Sequence, residues 1–135
     1  MPGRSKSPPP ERGTGADGRP LPRHWAEAAA LAFLQARGMR LLAANHVERR
    51  GELDLVMKDG EETVFVEVRQ RRAGSFGSAA DSLDAAKLHR LRRTARLFLL
   101  RHYGHEEVAC RFDAVLLSGS REDYTVEHLR GLILA

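Results

Sequence analysis

At 135 residues, with a net charge of +4, a pI near 9.8 and one cysteine, Cys110, the chain is sized for one domain with one modest core, in which folding buries somewhat under ~70% of the unfolded chain's surface. A lone cysteine excludes a disulfide framework and a thiolate metal knuckle, so a reducing compartment is the simplest setting and the cytoplasm the expected location. No apolar run approaches the ~18–20 residues that span a bilayer, and the N-terminal segment lacks the apolar core of a signal peptide, so no membrane partner is expected.

All six prolines lie in residues 1–22, with almost nothing large and apolar to bury. This segment is expected to be a disordered, Pro/Gly-rich, mildly basic tail ahead of a domain over 23–135. "RHWAEAAALAFLQARG" then takes a helical pattern over about 23–37, with Trp25, Ala28, Ala29, Ala32, Phe33 and Ala36 at three- and four-residue spacing and Gly38 as a left-handed cap. "MRLLAANHV", "ELDLVMK" and "TVFVEVRQ" read as three strands, and Asp59-Gly60 marks a hairpin between the second and third.

After the loop "RAGSFGSAADS" comes a second helix over about 84–103, with Leu88, Leu91, Ala95 and Phe98 inward and Gly104 closing it. "VACRFDAVLL" is almost continuously apolar, as an interior strand is. "YTVEHLRGLILA" reads equally as a strand or a terminal helix. The order α, β, β, β, α, β plus a short C-terminal element implies an α/β fold, a mixed sheet flanked by helices.

Acidic residues interrupt the second and third strands. Side chains alternate across a strand, so Val64, Val66 and Val68 share one face while Phe65, Glu67 and Arg69 share the other. With a four-residue loop from Asp59 to Glu62, Lys58 faces Thr63 and Asp54 falls directly opposite Glu67, with Cβ atoms about 4.5–5.5 Å apart. A two-residue loop instead sets Glu52 opposite Glu67 and leaves Asp54 diagonal. Two carboxylates held this close repel each other and are costly to desolvate unless a cation lies between them. All-oxygen ligands suit a hard ion such as Mg²⁺. The spacing leaves a plainer alternative open, in which these acids form surface ion pairs with Arg50, Arg69 or Arg71.

"GELDLV", "VFVEVRQR", "FGSAADSLDAAKLHRL" and "RFDAVLL" occur together in this order, and over about residues 24–134 the chain resembles the YraN family of bacterial proteins. That family belongs to the restriction-endonuclease-like nucleases with an Asp...Glu-x-Lys site and is similar to archaeal Holliday junction resolvases. The resemblance implies a restriction-endonuclease-like mixed sheet. It also implies a Mg²⁺ or Mn²⁺ ion held by Asp54, Glu67 and the backbone carbonyl of Val68, with Glu27 of the first helix as a further acid. Arg69 stands where the motif has lysine. An arginine cannot serve as a general base, but it can clamp a phosphate and stabilise developing charge.

Lys87, in the "K..RL" part of the pattern, is either a phosphate contact, a stand-in for the missing lysine, or a solvated helix residue. Gln70, Arg71 and Arg72 follow the active strand and, with Lys87 and Arg90, are candidate nucleic-acid contacts. Phe76-Gly77 is expected to shape a loop.

Other constellations point to structure. His102-x-x-His105 straddles Gly104 without a convincing further ligand set, and no glycine-rich loop suits a nucleotide cofactor. Cys110 reads as a core residue, and Arg111 and Asp113 as partners on one strand face. Lys87, Arg90, Arg92, Arg93, Arg96 and Arg101 give the second helix a basic surface fit for a phosphodiester backbone. Two functions are therefore expected as alternatives. One is a metal-dependent endonuclease acting on DNA, branched or otherwise structured by analogy with the resolvases, and possible as a homodimer. The other is a nucleic-acid-binding protein that kept the nuclease fold with little or no catalysis.

Overall fold

The computed structural model describes residues 24–71 and 85–132, and over these the chain forms α1 (Trp25–Ala36), β1 (Arg40–Glu48), β2 (Gly51–Asp59), β3 (Glu62–Arg71), α2 (Ala85–Tyr103), β4 (Cys110–Ser120) and β5 (Asp123–Leu129). The expected tail, Arg72 and Phe76-Gly77 lie outside the described residues. None of the described helices is long and apolar enough to cross a membrane.

α1 starts where His24 Nδ1 accepts the Ala26 N–H and stops at Gly38, whose φ of 91° lets the N–H groups of Gly38 and Met39 reach back to the carbonyls of Gln35 and Leu34. This is a Schellman cap, which a residue bearing a Cβ adopts only with strain. The buried stripe is Ala26, Ala30, Leu31 and Leu34, whereas Ala28, Ala32 and Ala36 face outward. That corrects the expected stripe: α1 is apolar on most of its circumference, so periodicity cannot choose the face, and the two bulky leucines decide it by burying more area.

The sheet runs β1-β2-β3-β4-β5, with β3 and β4 parallel and the other neighbours antiparallel. Parallel neighbours need a long crossover, and the chain from β3 to β4 supplies α2. The mixed, helix-flanked sheet expected from the element order is what forms. The undecided C-terminal element is a strand, which makes β4 interior, as its apolar run requires.

Strand alternation divides the core into two layers. Val64, Val66 and Val68 pack with Leu55, Met57, Val115 and Leu117 beneath α1. Phe65 and Val56 pack beneath Leu91, Ala95, Phe98 and Leu99 of α2, Phe65 stacking on Phe112 and meeting Phe98 edge-on. The β2–β3 hairpin pairs Lys58 with Thr63 and closes with one further pair, Asp59 with Glu62. Only Gly60 and Glu61 turn the chain, so the two-residue loop keeps the Lys58–Thr63 register expected of a four-residue one and does not set Glu52 opposite Glu67. Gly60 sits at φ 62°, the positive value that a tight hairpin turn of the II′ class needs at its first central residue.

Candidate functional site

The observed hairpin register is the one that places Asp54 across from Glu67, but the ladder stops one step short, at Leu55 and Val66. β2 continues beside β1 as far as the pairing of Gly51 with Glu48. Past Leu55 the sheet therefore forks, with β2 following β1 and leaving β3.

The fork coincides with a rotation of the β1–β2 ribbon. Ala44 and Leu55 pack in the α1 layer, yet Leu53 packs in the α2 layer and His46 meets Phe98 of α2 edge-on. Regular alternation keeps residues two apart on one face, so the ribbon turns over at the intervening step, where Asn45 and Asp54 lie. Asn45 sits at φ 51°, a left-handed conformation that asparagine tolerates better than most residues. Its Nδ2 donates to Glu27 Oε1 of α1 at 2.8 Å, which ties the twisted residue to the helix.

The turnover aims Asp54 into the fork, where its Oδ2 accepts the Val68 N–H at 2.8 Å. The N–H and C=O of one strand residue point to the same edge, so the Val68 carbonyl is directed to this edge too. Glu67, 3% exposed, projects to the α2 side. Its Oε2 lies 3.0 Å from Arg69 Nη2 and 3.2 Å from Nζ of Lys87, which the first turn of α2 contributes. Asp54, Glu67 and Lys87 border a cavity of about 140 Å³ that Glu52, Arg90 and Thr94 also line.

Burial, and next the Glu67 charge, push the Asp54 carboxyl up from 3.8 to about 7. The Val68 N–H pulls it the other way, and the Glu27 charge adds to the rise. A cation between Asp54 and Glu67 would relieve the repulsion that this shift records. Among the described residues no group of three or more His, Cys, Asp or Glu side chains is placed to hold a metal ion. The donor set is two carboxylates and a backbone oxygen, which fits a hard ion such as Mg²⁺ that keeps waters and phosphate oxygens in its shell, and does not fit zinc.

The structure thus brings Asp54, Glu67, Val68, Arg69, Lys87 and Arg90 together, and links Glu27 to them through Asn45. Arg71 continues the Glu67–Arg69 face. Gln70 alternates to the opposite face and donates to the Gly119 carbonyl at 3.4 Å, away from the cavity. Sequence reasoning missed Asn45 and Thr94, and named Glu52 only in the alternative hairpin register. The available signal was an asparagine inside a strand, where that residue type is disfavoured. Elsewhere the Arg111–Asp113 pairing expected on one strand face is present. Arg111 Nε donates to Asp113 Oδ1 at 3.0 Å, His102 stacks on Phe98, His105 accepts the Glu107 N–H, and Cys110 packs half-buried against the α2 layer.

Fold and site together define an α/β protein with a five-stranded mixed sheet, two flanking helices and a carboxylate pair at a fork between strands. Residues 26–117 match the uncharacterised protein family UPF0102, and the chain belongs to that family. It is 50% identical over 99 residues to the UPF0102 protein YraN of Salmonella newport, covering 73% of this chain and 76% of the relative. The YraN proteins of Salmonella enteritidis and Salmonella typhi match with the same identity and coverage.

Proposed function

We propose that the protein is a Mg²⁺- or Mn²⁺-dependent nuclease that hydrolyses phosphodiester bonds in DNA, with branched or otherwise structured DNA as the substrate class that its likeness to resolvases suggests. The observation that carries this reading is the meeting of Asp54, Glu67 and the Val68 backbone edge at the fork, beside two cations. A divalent ion held there would supply Lewis-acid activation of the phosphate and of a water molecule. Arg69, always protonated, offers two parallel donors to phosphate oxygens and takes no proton. Lys87 brings from α2 the ammonium that the motif otherwise carries on the strand, within 3.2 Å of Glu67. It is placed to offset negative charge developing at the reacting phosphate. A homodimer would offer one such site to each of two strands.

A second reading, nucleic-acid binding without hydrolysis, draws on the same ion pairs: Arg69 and Lys87 already neutralise the Glu67 carboxylate. The deciding experiment incubates the purified protein with single-stranded, duplex and branched DNA and with RNA, in Mg²⁺ or Mn²⁺. The nuclease reading expects cleavage that falls by at least about 10²–10³-fold in Glu67→Gln and in Asp54→Asn. Binding without cleavage of any substrate supports the second reading. Arg69→Lys separates the two further, since it restores activity to a degenerate site and lowers it in one adapted to arginine.

A further inference from the structure

Among the described residues, three arginines beside the carboxylate cavity lack the acidic partners that Arg96, Arg101 and Arg111 have. Arg96 pairs with Glu106 at 2.8 Å, Arg101 with Glu48 at 3.0 Å, and Arg111 with Asp59, Glu62 and Asp113. Arg49 and Arg50, in the β1–β2 turn, and Arg93 of α2 are exposed and make no ion pair among the described residues. These three, with Thr94 and Leu97, line a cavity of about 270 Å³. Thr94 is also a wall of the carboxylate cavity, so the two lie side by side.

Their proximity is built into the backbone. A Cβ on Gly51 would collide with Thr94 Oγ1, so the start of β2 lies directly against α2 and carries the Arg49–Arg50 turn up to Arg93. Three like charges gathered without acids repel one another, and an anion is what stabilises such a group. The wall offers no Asn or Gln to read a base edge and no aromatic ring to stack on a base. Guanidinium groups with one apolar side chain suit phosphate and sugar.

We infer that the Arg49–Arg50–Arg93 cavity is a second phosphate subsite, which grips the nucleic-acid backbone next to the phosphate at Asp54 and Glu67, independently of sequence. The inference rests on the nucleic-acid reading of the neighbouring carboxylate site, and it fixes the path of the strand across the N-terminal half of α2.

The test is equilibrium binding of a fluorescently labelled DNA duplex, and of a second duplex of scrambled sequence, in EDTA over a series of salt concentrations. The full chain is compared with Arg49→Ala/Arg50→Ala/Arg93→Ala and with a charge-matched control, Arg40→Ala/Arg96→Ala/Arg130→Ala. Loss of three phosphate contacts is expected to weaken binding of both duplexes alike and to reduce the slope of log affinity against log salt by about 2–3. The control should keep most of that slope, and replacing the three residues with lysine should restore most of the affinity. Equal weakening by both alanine triples would overturn the subsite, because net charge alone would then explain binding, and so would no weakening by either. The readout needs no cleavage. Loss of the slope in a protein that never cuts DNA upholds the subsite and removes the nuclease reading. An unchanged slope in a protein whose cutting depends on Glu67 does the reverse.

Discussion

Asp54 is held by opposing influences, and its protonation gives the sharpest test of the site. Its carboxyl would ionise near 3.8 when unperturbed but keeps its proton to about 7 in the folded protein. Between those values the folded state binds more protons than the unfolded one, so the contribution of Asp54 to stability falls as pH rises and levels off above about 7. Asp54→Asn keeps an oxygen for the Val68 N–H and removes the charge. It should therefore stabilise the metal-free protein at about pH 8 by on the order of 1–3 kcal/mol and have little effect near pH 4, as read from urea midpoints. That Asp54 lies near Glu67 was legible in one of the two hairpin registers that the sequence left open. The rotation at Asn45 was not. No periodic pattern marks a single left-handed residue, and without that rotation Asp54 could not swing edge-on to Val68.

At the scale of elements, strands were easier to place than helix faces. β3 sorts Val64, Val66 and Val68 from Phe65 and Glu67 by strict alternation, whereas α1 presents alanine on nearly every side and hides which stripe is buried. α2 exposes a different limit. Its basic surface is plain in sequence, but only packing shows that Lys87 turns toward Glu67 while Arg96 and Arg101 turn to Glu106 and Glu48. The seam between β2 and α2 depends on Gly51 for lack of volume, since its backbone is not in the left-handed region. Gly51→Ala should cost about 1–3 kcal/mol through overpacking against Thr94. Thr94→Ala should recover much of that loss in the double variant, and a double-mutant cycle of unfolding free energies checks the coupling.

Across the whole molecule, the sheet carries a charge network at each end. Opposite the fork, Asp113 is 0% exposed and accepts from Arg111 Nε, from the Gly131 N–H and from His128 Nε2 in its donor tautomer. Burial alone would raise its carboxyl, but these hydrogen bonds outweigh burial and hold it below its ordinary 3.8. Its stabilisation is therefore present at neutral pH and lost as pH falls below about 4, opposite in sign to that of Asp54. Asp113→Ala leaves His128 Nε2 and the Gly131 N–H without their acceptor while Arg111 keeps Asp59 and Glu62, and should cost about 1–3 kcal/mol in chemical denaturation.

The parallel pairing of β3 with β4 also orders events in time. The β1–β2–β3 meander closes through two short turns, on the microsecond scale of hairpins. β4 can join only after α2 has crossed the sheet, a slower and less local step. Asp54 and Glu67 are therefore brought face to face before Lys87 arrives, and their repulsion burdens the early nucleus. Relieving it with Asp54→Asn should show chiefly as faster refolding, not slower unfolding, which makes the acid pair a brake that the chain carries on its own assembly.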